Sequence, residues 1–347
     1  MPDIAFPQTR YQGSKLKLSD WIRDAVENLE FDTVLDAFGG SGSVSFLFKK
    51  MGKRVTYNDL LTFNYYIGLA LIENAHVILT DNDVDFLLEK HAHIAYPSFI
   101  QDTFHDTYFT DEENDWLDYV VTNIEQFSDD GEDKYKKAIA FFALFQSAII
   151  KRPFNLFHRK NLYIRTADVE RSFGNKTTWE KPFDACFRDF VAEANQSIFC
   201  NHRRNSALNQ DAFEIVDDYD LVYIDTPYIS AKGVGVDYLE FYHFLEGLTD
   251  YKNWGGKINY KTKHRKLQHE KSIWANKKLI HNAFDQLFAQ FQDSILVVSY
   301  RDGGIPTSSE IVALLKKYKG KVDFVNATNY QYVLSNDKTK ELLFIAS

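Results

Sequence analysis

Leu16, Trp21, Ile22, Val26 and Leu29 recur near helical spacing and predict a helix over 16–29. The pattern then shortens. Thr33-Val-Leu-Asp-Ala-Phe38 is an apolar run that ends in Gly39-Gly-Ser-Gly42, which reads as a strand followed by a glycine-rich turn. A helix over about 43–52 follows, with Gly52 placed to cap it, and Arg54-Val-Thr-Tyr-Asn-Asp59 reads as a second strand. Strand, helix and strand at this spacing make a βαβ unit with a right-handed crossover. From about 75 to 205 the alternation stops. That stretch is rich in Asp, His, Asn and Phe, and its strongest pattern is an apolar helix over 134–151. It reads as an inserted, partly helical domain (75–205) that divides a first domain made of 1–74 and 206–347. Alternation then resumes. Tyr219-Asp-Leu-Val-Tyr-Ile-Asp225 has the continuous apolar character of a buried strand. A helix over 276–291, a strand over 294–300, a helix over 309–318 and two strands near 322–333 and 341–346 complete the chain. The expected fold class is α/β, a doubly wound, mostly parallel sheet with a helical insert.

Composition narrows the picture. Of 347 residues 45% are hydrophobic, ample for a packed core, so a disordered or fibrous chain is excluded. No apolar run approaches the roughly 20 residues of a membrane span. The first fifteen residues lack the apolar core of a secretory signal, and the two Cys cannot build a disulfide framework. Both Cys are expected to be buried, and the expected location is the cytoplasm, near the nucleoid. The net charge of −9 disfavours a nucleic-acid partner, but only as a total. Residues 151–165 hold five basic side chains (Lys151, Arg152, Arg159, Lys160 and Arg165) and no acid, interleaved with Phe154, Phe157 and Tyr163. Residues 251–281 hold nine Lys or Arg, among them Lys261, Lys263 and Arg265, against Glu270 alone. Basic residues beside aromatics grip phosphates and exposed bases. His158 belongs to the same stretch, and Asn155 and Asn161 have the chemistry to read adenine edges. For either run alone, a solvated face is the competing reading.

Three strand ends carry candidate chemistry. Glycines in Asp36-Ala-Phe38-Gly39-Gly40-Ser41-Gly42 let the backbone pass close to a ligand at a helix start. Ser45 stands where a dinucleotide fingerprint has its third glycine, which disfavours a nicotinamide cofactor. Asp59, about 20 residues on, is placed to accept the hydroxyls of a ribose. Asp225-Thr226-Pro227-Tyr228 sits at the carboxyl end of a buried strand, where open α/β sheets bind ligands. A carboxylate next to a main-chain carbonyl can accept both hydrogens of an exocyclic amine and direct its lone pair at a methyl donor. Pro227 stiffens the turn and Tyr228 offers a flat face to an extruded base. Ser299-Tyr300-Arg301 ends a strand nearby.

Taken in order, these segments resemble the alpha group of N6-adenine DNA methyltransferases, the bacterial adenine methylases. Arg10-Tyr11-Gln12-Gly13-Ser14-Lys15 is similar to that family's N-terminal motif, and Phe38-x-Gly40-x-Gly42 to its methionine-binding motif. Asn58-Asp59 is similar to its ribose-binding position, Asn209-Gln-Asp211-Ala-Phe213 to its adenine-binding position, and Asp225–Tyr228 to its catalytic tetrapeptide. Thr226 departs from the common form, which has Pro there; only the carbonyl is needed at that position. The resemblance implies methyl transfer from S-adenosylmethionine to N6 of adenine in a specific double-stranded DNA sequence, by base flipping. Tyr11, Lys15, Phe38, Gly40, Gly42, Asp59, Asp211, Phe213 and Asp225 would hold the cofactor. Asp225, Thr226, Pro227 and Tyr228 would hold the target amine, with no metal. The insert would be the target-recognition domain, and the sheet would carry an antiparallel strand near its end. A monomer suffices for the chemistry, and any restriction endonuclease would be a separate chain. The competing readings are a methyltransferase acting on RNA or another amine, and a catalytically silent DNA-binding module of the same fold.

Overall fold

A computed structural model describes residues 4–169, 176–326 and 341–347. The chain divides into two compact units. One comprises Gly13–Gly68, Asn201–Tyr238 and Glu270–Ser347; the other comprises Met1–Gln12, Leu69–Cys200 and Leu239–His269.

The first unit is built on nine strands among the described residues: β1 (Thr33–Asp36), β2 (Arg54–Asn58), β3 (Ser206–Leu208), β4 (Leu221–Ile224), β5 (Ile229–Ser230), β6 (Ile295–Arg301), β7 (Gly304–Ile305), β8 (Val322–Asn326) and β9 (Glu341–Ala346). Seven form one sheet in the order β3-β2-β1-β4-β6-β9-β8, while β5 and β7 pair separately. The first five of that sheet are parallel, and β9 runs antiparallel between β6 and β8, as expected near the end of the sheet. The expected strand at 219–225 is trimmed at its start because Asp220 has other work. Its carboxylate accepts from the N–H groups of Asp32 (2.9 Å) and Thr33 (2.8 Å), tying the entries of β1 and β4 together. The part of the expected 322–333 strand beyond 326 lies outside the described residues.

Two features of this sheet position a site. Chain order reverses at β1, which is flanked by β2 and β4, and ligands bind at such a switch point beyond the carboxyl ends of the strands. Because β9 is antiparallel, it begins at the edge where the parallel strands end: Glu341 pairs in register with Arg301, the last residue of β6. Beneath the sheet, Val222, Ile224, Phe284, Leu287, Leu296 and Phe344 are among the buried side chains that form the core.

The second unit is helical. The expected helix over 134–151 spans Gly131–Ile150, and it is buried continuously from Lys137 to Ile149. The unit reaches beyond the 75–205 insert expected from composition, since it takes in 239–269 and the first twelve residues. The reason is an aromatic core. Phe244 stacks on Phe157 with ring centroids 5.1 Å apart, and Trp254 lies 5.0 Å from Phe104. Cys186 is buried as expected, but Cys200 is exposed. Among the described residues no helix is long and apolar enough to cross a membrane.

Candidate active site

The turn after β1 is shaped by a tyrosine from β2. Tyr57 is buried beneath it and donates its hydroxyl to the carbonyls of Gly40 (2.8 Å) and Asn64 (3.0 Å). A Cβ on Gly39 would lie 2.1 Å from the Tyr57 ring, so the close approach requires glycine there. Gly42 starts the helix Ser43–Lys50 with φ +79°, in the left-handed region that favours glycine. Asp59 closes the turn: Oδ2 accepts from the Gly40 N–H and Oδ1 from the Leu61 N–H, both at 2.9 Å. Burial pushes its carboxyl up, against the pull of those two hydrogen bonds. Asn58 braces the same region, donating to the carbonyls of Ala37 and Gln210 at 3.1 Å.

Asp36 was not among the residues expected to act. It is buried at the end of β1, where Oδ2 accepts from the Ser45 hydroxyl at 2.7 Å and Oδ1 has no partner among the described residues. Burial raises its pKa to about 7, opposed by Ser45 and assisted by the charges of Asp225 and Asp59. A carboxylate held this way favours a cation brought to it. Trp274 was also missed. It stacks on Phe213 with centroids 5.7 Å apart and meets Phe38 edge-on at 5.0 Å. Asp211 sets Phe213 by accepting its N–H at 3.1 Å. Nothing in the 272–277 sequence, a short Ile-Trp-Ala run within a basic stretch, signals this placement. Phe38, Phe213 and Trp274 make an aromatic wall beside the turn.

The tetrapeptide follows β4, and its charged partner comes from the N-terminal segment. Lys15 Nζ is buried and donates to both oxygens of Asp225, at 3.0 Å to Oδ1 and 2.8 Å to Oδ2, and to the Tyr228 hydroxyl at 3.0 Å. The Tyr228 hydroxyl in turn donates to Asp225 Oδ1 at 2.6 Å. Burial alone would lower the Lys15 pKa, but the Asp225 and Glu341 carboxylates raise it well above its usual value. Burial and the Asp225 charge likewise keep the Tyr228 hydroxyl protonated. Tyr300 from β6 supports the Tyr228 ring edge-on, with centroids 5.7 Å apart. Tyr300 is fixed by its own hydroxyl, which donates to the Pro306 carbonyl at 2.7 Å. Thr226 is buried, consistent with a role for its main chain alone. Tyr11 belongs to the other unit, where it stacks on Tyr242 with centroids 5.0 Å apart.

The expected DNA-binding residues separate into two groups. Lys151, Arg152 and Arg165 turn inward, which contradicts their assignment to phosphates. Lys151 and Arg165 both pair with Glu113, at 2.8 and 2.7 Å. Arg152 is 1% exposed and donates to the carbonyls of Tyr108 and Arg159 at 3.0 Å and to the Asn161 side chain. Asn161 is thereby consumed as well. These groups hold the unit together where a count of charges suggests a binding face. Arg159, Lys160, Lys261 and Lys263 are exposed, with Lys160 paired to Asp106 at 2.8 Å. Arg265 lies over the exposed Tyr260 ring at 5.5 Å. His158 and Asn155 are half-buried, and Asn155 takes a left-handed φ of 59°.

A family model described as D12 class N6 adenine-specific DNA methyltransferase matches residues 11–302. The type II methyltransferase M2.HphI of Haemophilus parahaemolyticus is 29% identical over 355 aligned residues, which cover 99% of this chain and 99% of that protein. M.NlaIII of Neisseria lactamica is 24% identical over 95% of this chain and 93% of its own length. M.FokI of Planomicrobium okeanokoites is 26% identical over 89% of this chain but only 47% of its own length, so the chain spans about half of that protein.

Proposed function

The chain belongs to the D12 class of N6 adenine-specific DNA methyltransferases, and on that premise we propose that it takes the methyl group from S-adenosylmethionine and transfers it at the Asp225–Tyr228 turn. Adenine in DNA is the acceptor. One observation carries the assignment: Lys15, Asp225 and Tyr228 converge at the carboxyl end of β4, next to the glycine turn of β1.

The residues present fit the cofactor. The unfilled oxygen of Asp36 suits a ligand ammonium, and the Gly39–Tyr57 approach leaves a turn of bare backbone. Phe38, Phe213 and Trp274 would flank the adenine ring, with Asp211 beside them. Asp59 would accept the ribose hydroxyls while still holding Gly40. When bound, S-adenosylmethionine supplies a methyl group activated by a sulfonium.

The protein's part is orientation and pre-placed acceptors. Asp225 would accept one N–H of the target amine and the Thr226 carbonyl the other, so that the nitrogen lone pair points away from both. Pro227 fixes the carbonyl's direction. An adenine inside a duplex cannot reach this turn, so the base would be flipped out and would stack on Tyr228. Tyr228→Ala is expected to lower kcat/KM about 10- to 100-fold, since stacking is worth roughly 1–3 kcal/mol per base. Tyr228→Phe should cost only a few-fold, because it keeps the ring on which the base stacks. Equal losses in steady-state assays would defeat the stacking role.

We assign duplex binding to the exposed cations of the helical unit and not to its buried ones. Lys261→Ala with Lys263→Ala should leave thermal unfolding unchanged and lessen the slope of log affinity against log salt by about 2. Arg152→Ala should instead destabilise the fold by ~3 kcal/mol in urea unfolding, since it orphans several buried carbonyls. The reverse pattern would overturn the division. The relatives are named type II methyltransferases, which supports a modification role.

The direct test incubates the protein with tritium-labelled S-adenosylmethionine and duplex DNA, with RNA in parallel, and digests the product to nucleosides. Label should appear in N6-methyladenine from the duplex. Label in methylated cytosine, or in RNA alone, would refute the reading.

A further inference from the structure

Glu341 has no part in the steps above, yet its placement is unusual. It heads an otherwise apolar strand, Glu341–Ala346, and its side chain is fully buried. Neither carboxylate oxygen has a fully formed hydrogen bond among the described residues, although the Tyr228 hydroxyl lies near enough to favour its charged form. Burying a carboxylate in this state is costly. Burial holds its carboxyl up to about 7, although the Lys15 ammonium pulls the other way. The charged and titratable groups acting on it are Lys15 from the N-terminal segment, Asp225 and Tyr228 beyond β4, and Arg301 on β6.

Lys15 therefore stands between two carboxylates. Its Nζ bonds both oxygens of Asp225 and lies 3.9 Å from Glu341 Oε1, close but outside hydrogen-bonding distance. Asp225 is crowded: Oδ1 receives both Tyr228 and Lys15, and Oδ2 receives Lys15 again. The target amine therefore competes on Asp225 with donors already there. An ammonium that simply left Asp225 would be buried without a counter-charge, which is strongly unfavourable.

We propose that Glu341 is the alternate seat of Lys15, a positioning residue to which the ammonium shifts when the target amine takes its place on Asp225. The proposal rests on the reading that Asp225 holds that amine. The movement needed is about 1 Å, from the present separation to the ~2.8 Å of a charge-assisted hydrogen bond. Among the described residues neither oxygen of Glu341 holds a fully formed hydrogen bond, so it can receive the ammonium. The topology accounts for the placement, since the antiparallel β9 starts at the edge where β4 and β6 end.

The test compares Glu341→Gln, Lys15→Met and the double variant in single-turnover methylation, with Asp225→Ala in parallel. Glu341→Gln removes a buried charge whose cation stands 3.9 Å away, outside hydrogen-bonding distance, so it should melt at or above the parent temperature. It should bind S-adenosylmethionine and duplex within about threefold of the parent, while kcat falls about 10- to 100-fold, the range of one lost charge-assisted hydrogen bond. In the Lys15→Met background the same change should alter kcat by less than about threefold, because both residues act through one ammonium. Glu341→Asp keeps the charge and should recover about tenfold or more of the lost rate; it also serves if the amide disturbs packing. Parent-like kcat in Glu341→Gln, full additivity with Lys15→Met, or no recovery by Glu341→Asp would each overturn the proposal. An active Asp225→Ala variant would remove its premise, and the proposal with it.

Discussion

Asp225→Ala is expected to lower kcat by about a thousandfold or more, while S-adenosylmethionine still binds within about tenfold of the parent affinity. The asymmetry follows from the assigned roles. Asp225 would supply the acceptor that turns an amine conjugated to a purine ring into a nucleophile aimed at the methyl group. Removing that acceptor frees the amine to stay flat and misdirected. It also strips the Lys15 ammonium of its two nearest oxygens, at 2.8 and 3.0 Å, and the Tyr228 hydroxyl of the acceptor at 2.6 Å. The glycine turn, Asp59 and the aromatic wall lie on other segments and keep their own contacts. Single-turnover methylation combined with calorimetry of cofactor binding reads both quantities. Turnover within tenfold of the parent would show that the carboxylate does not hold the amine.

Asp59→Ala should do the opposite, raising the cofactor Kd about a hundredfold with little change in kcat at saturating cofactor. Its carboxylate accepts from Gly40 and Leu61 at 2.9 Å, so it shapes the cradle from two sides before any ribose arrives. Hydrogen bonds to a charged acceptor are worth roughly 1.5–3 kcal/mol each, and the change would remove these together with those to the ribose. Asp59→Asn retains one oxygen acceptor and should recover part of the loss. Calorimetric titration is the measurement, and a Kd within threefold of the parent would place the cofactor elsewhere.

Which of these features the sequence discloses depends on their range. The turn after β1 is legible because glycine marks it locally, and β4 because a fully buried parallel strand reads as one apolar run. The pairing of Lys15 with Asp225 spans 210 residues. No periodicity carries that distance, and only a resemblance in motif order placed both residues at one site. Trp274 and Glu341 were missed for a related reason. Each acts through neighbours brought together by the sheet, the first beside Phe213 and the second across the antiparallel β6–β9 pairing. The run at 151–165 misled because charge counts say nothing of direction. Glu113, which draws Lys151 and Arg165 inward, lies 38 and 52 residues before them. The helical unit's share of 239–269 was hidden too, since Phe244 and Trp254 join its core through contacts with Phe104, far away in the chain.

The most direct measurement is a crystal structure of the protein with a short duplex and an unreactive analogue of S-adenosylmethionine. It should show the adenosyl group against Phe38, Phe213 and Trp274, and an extruded adenine whose N6 lies about 3 Å from an Asp225 oxygen. An analogue or an adenine seated away from the 225–228 turn would contradict the account.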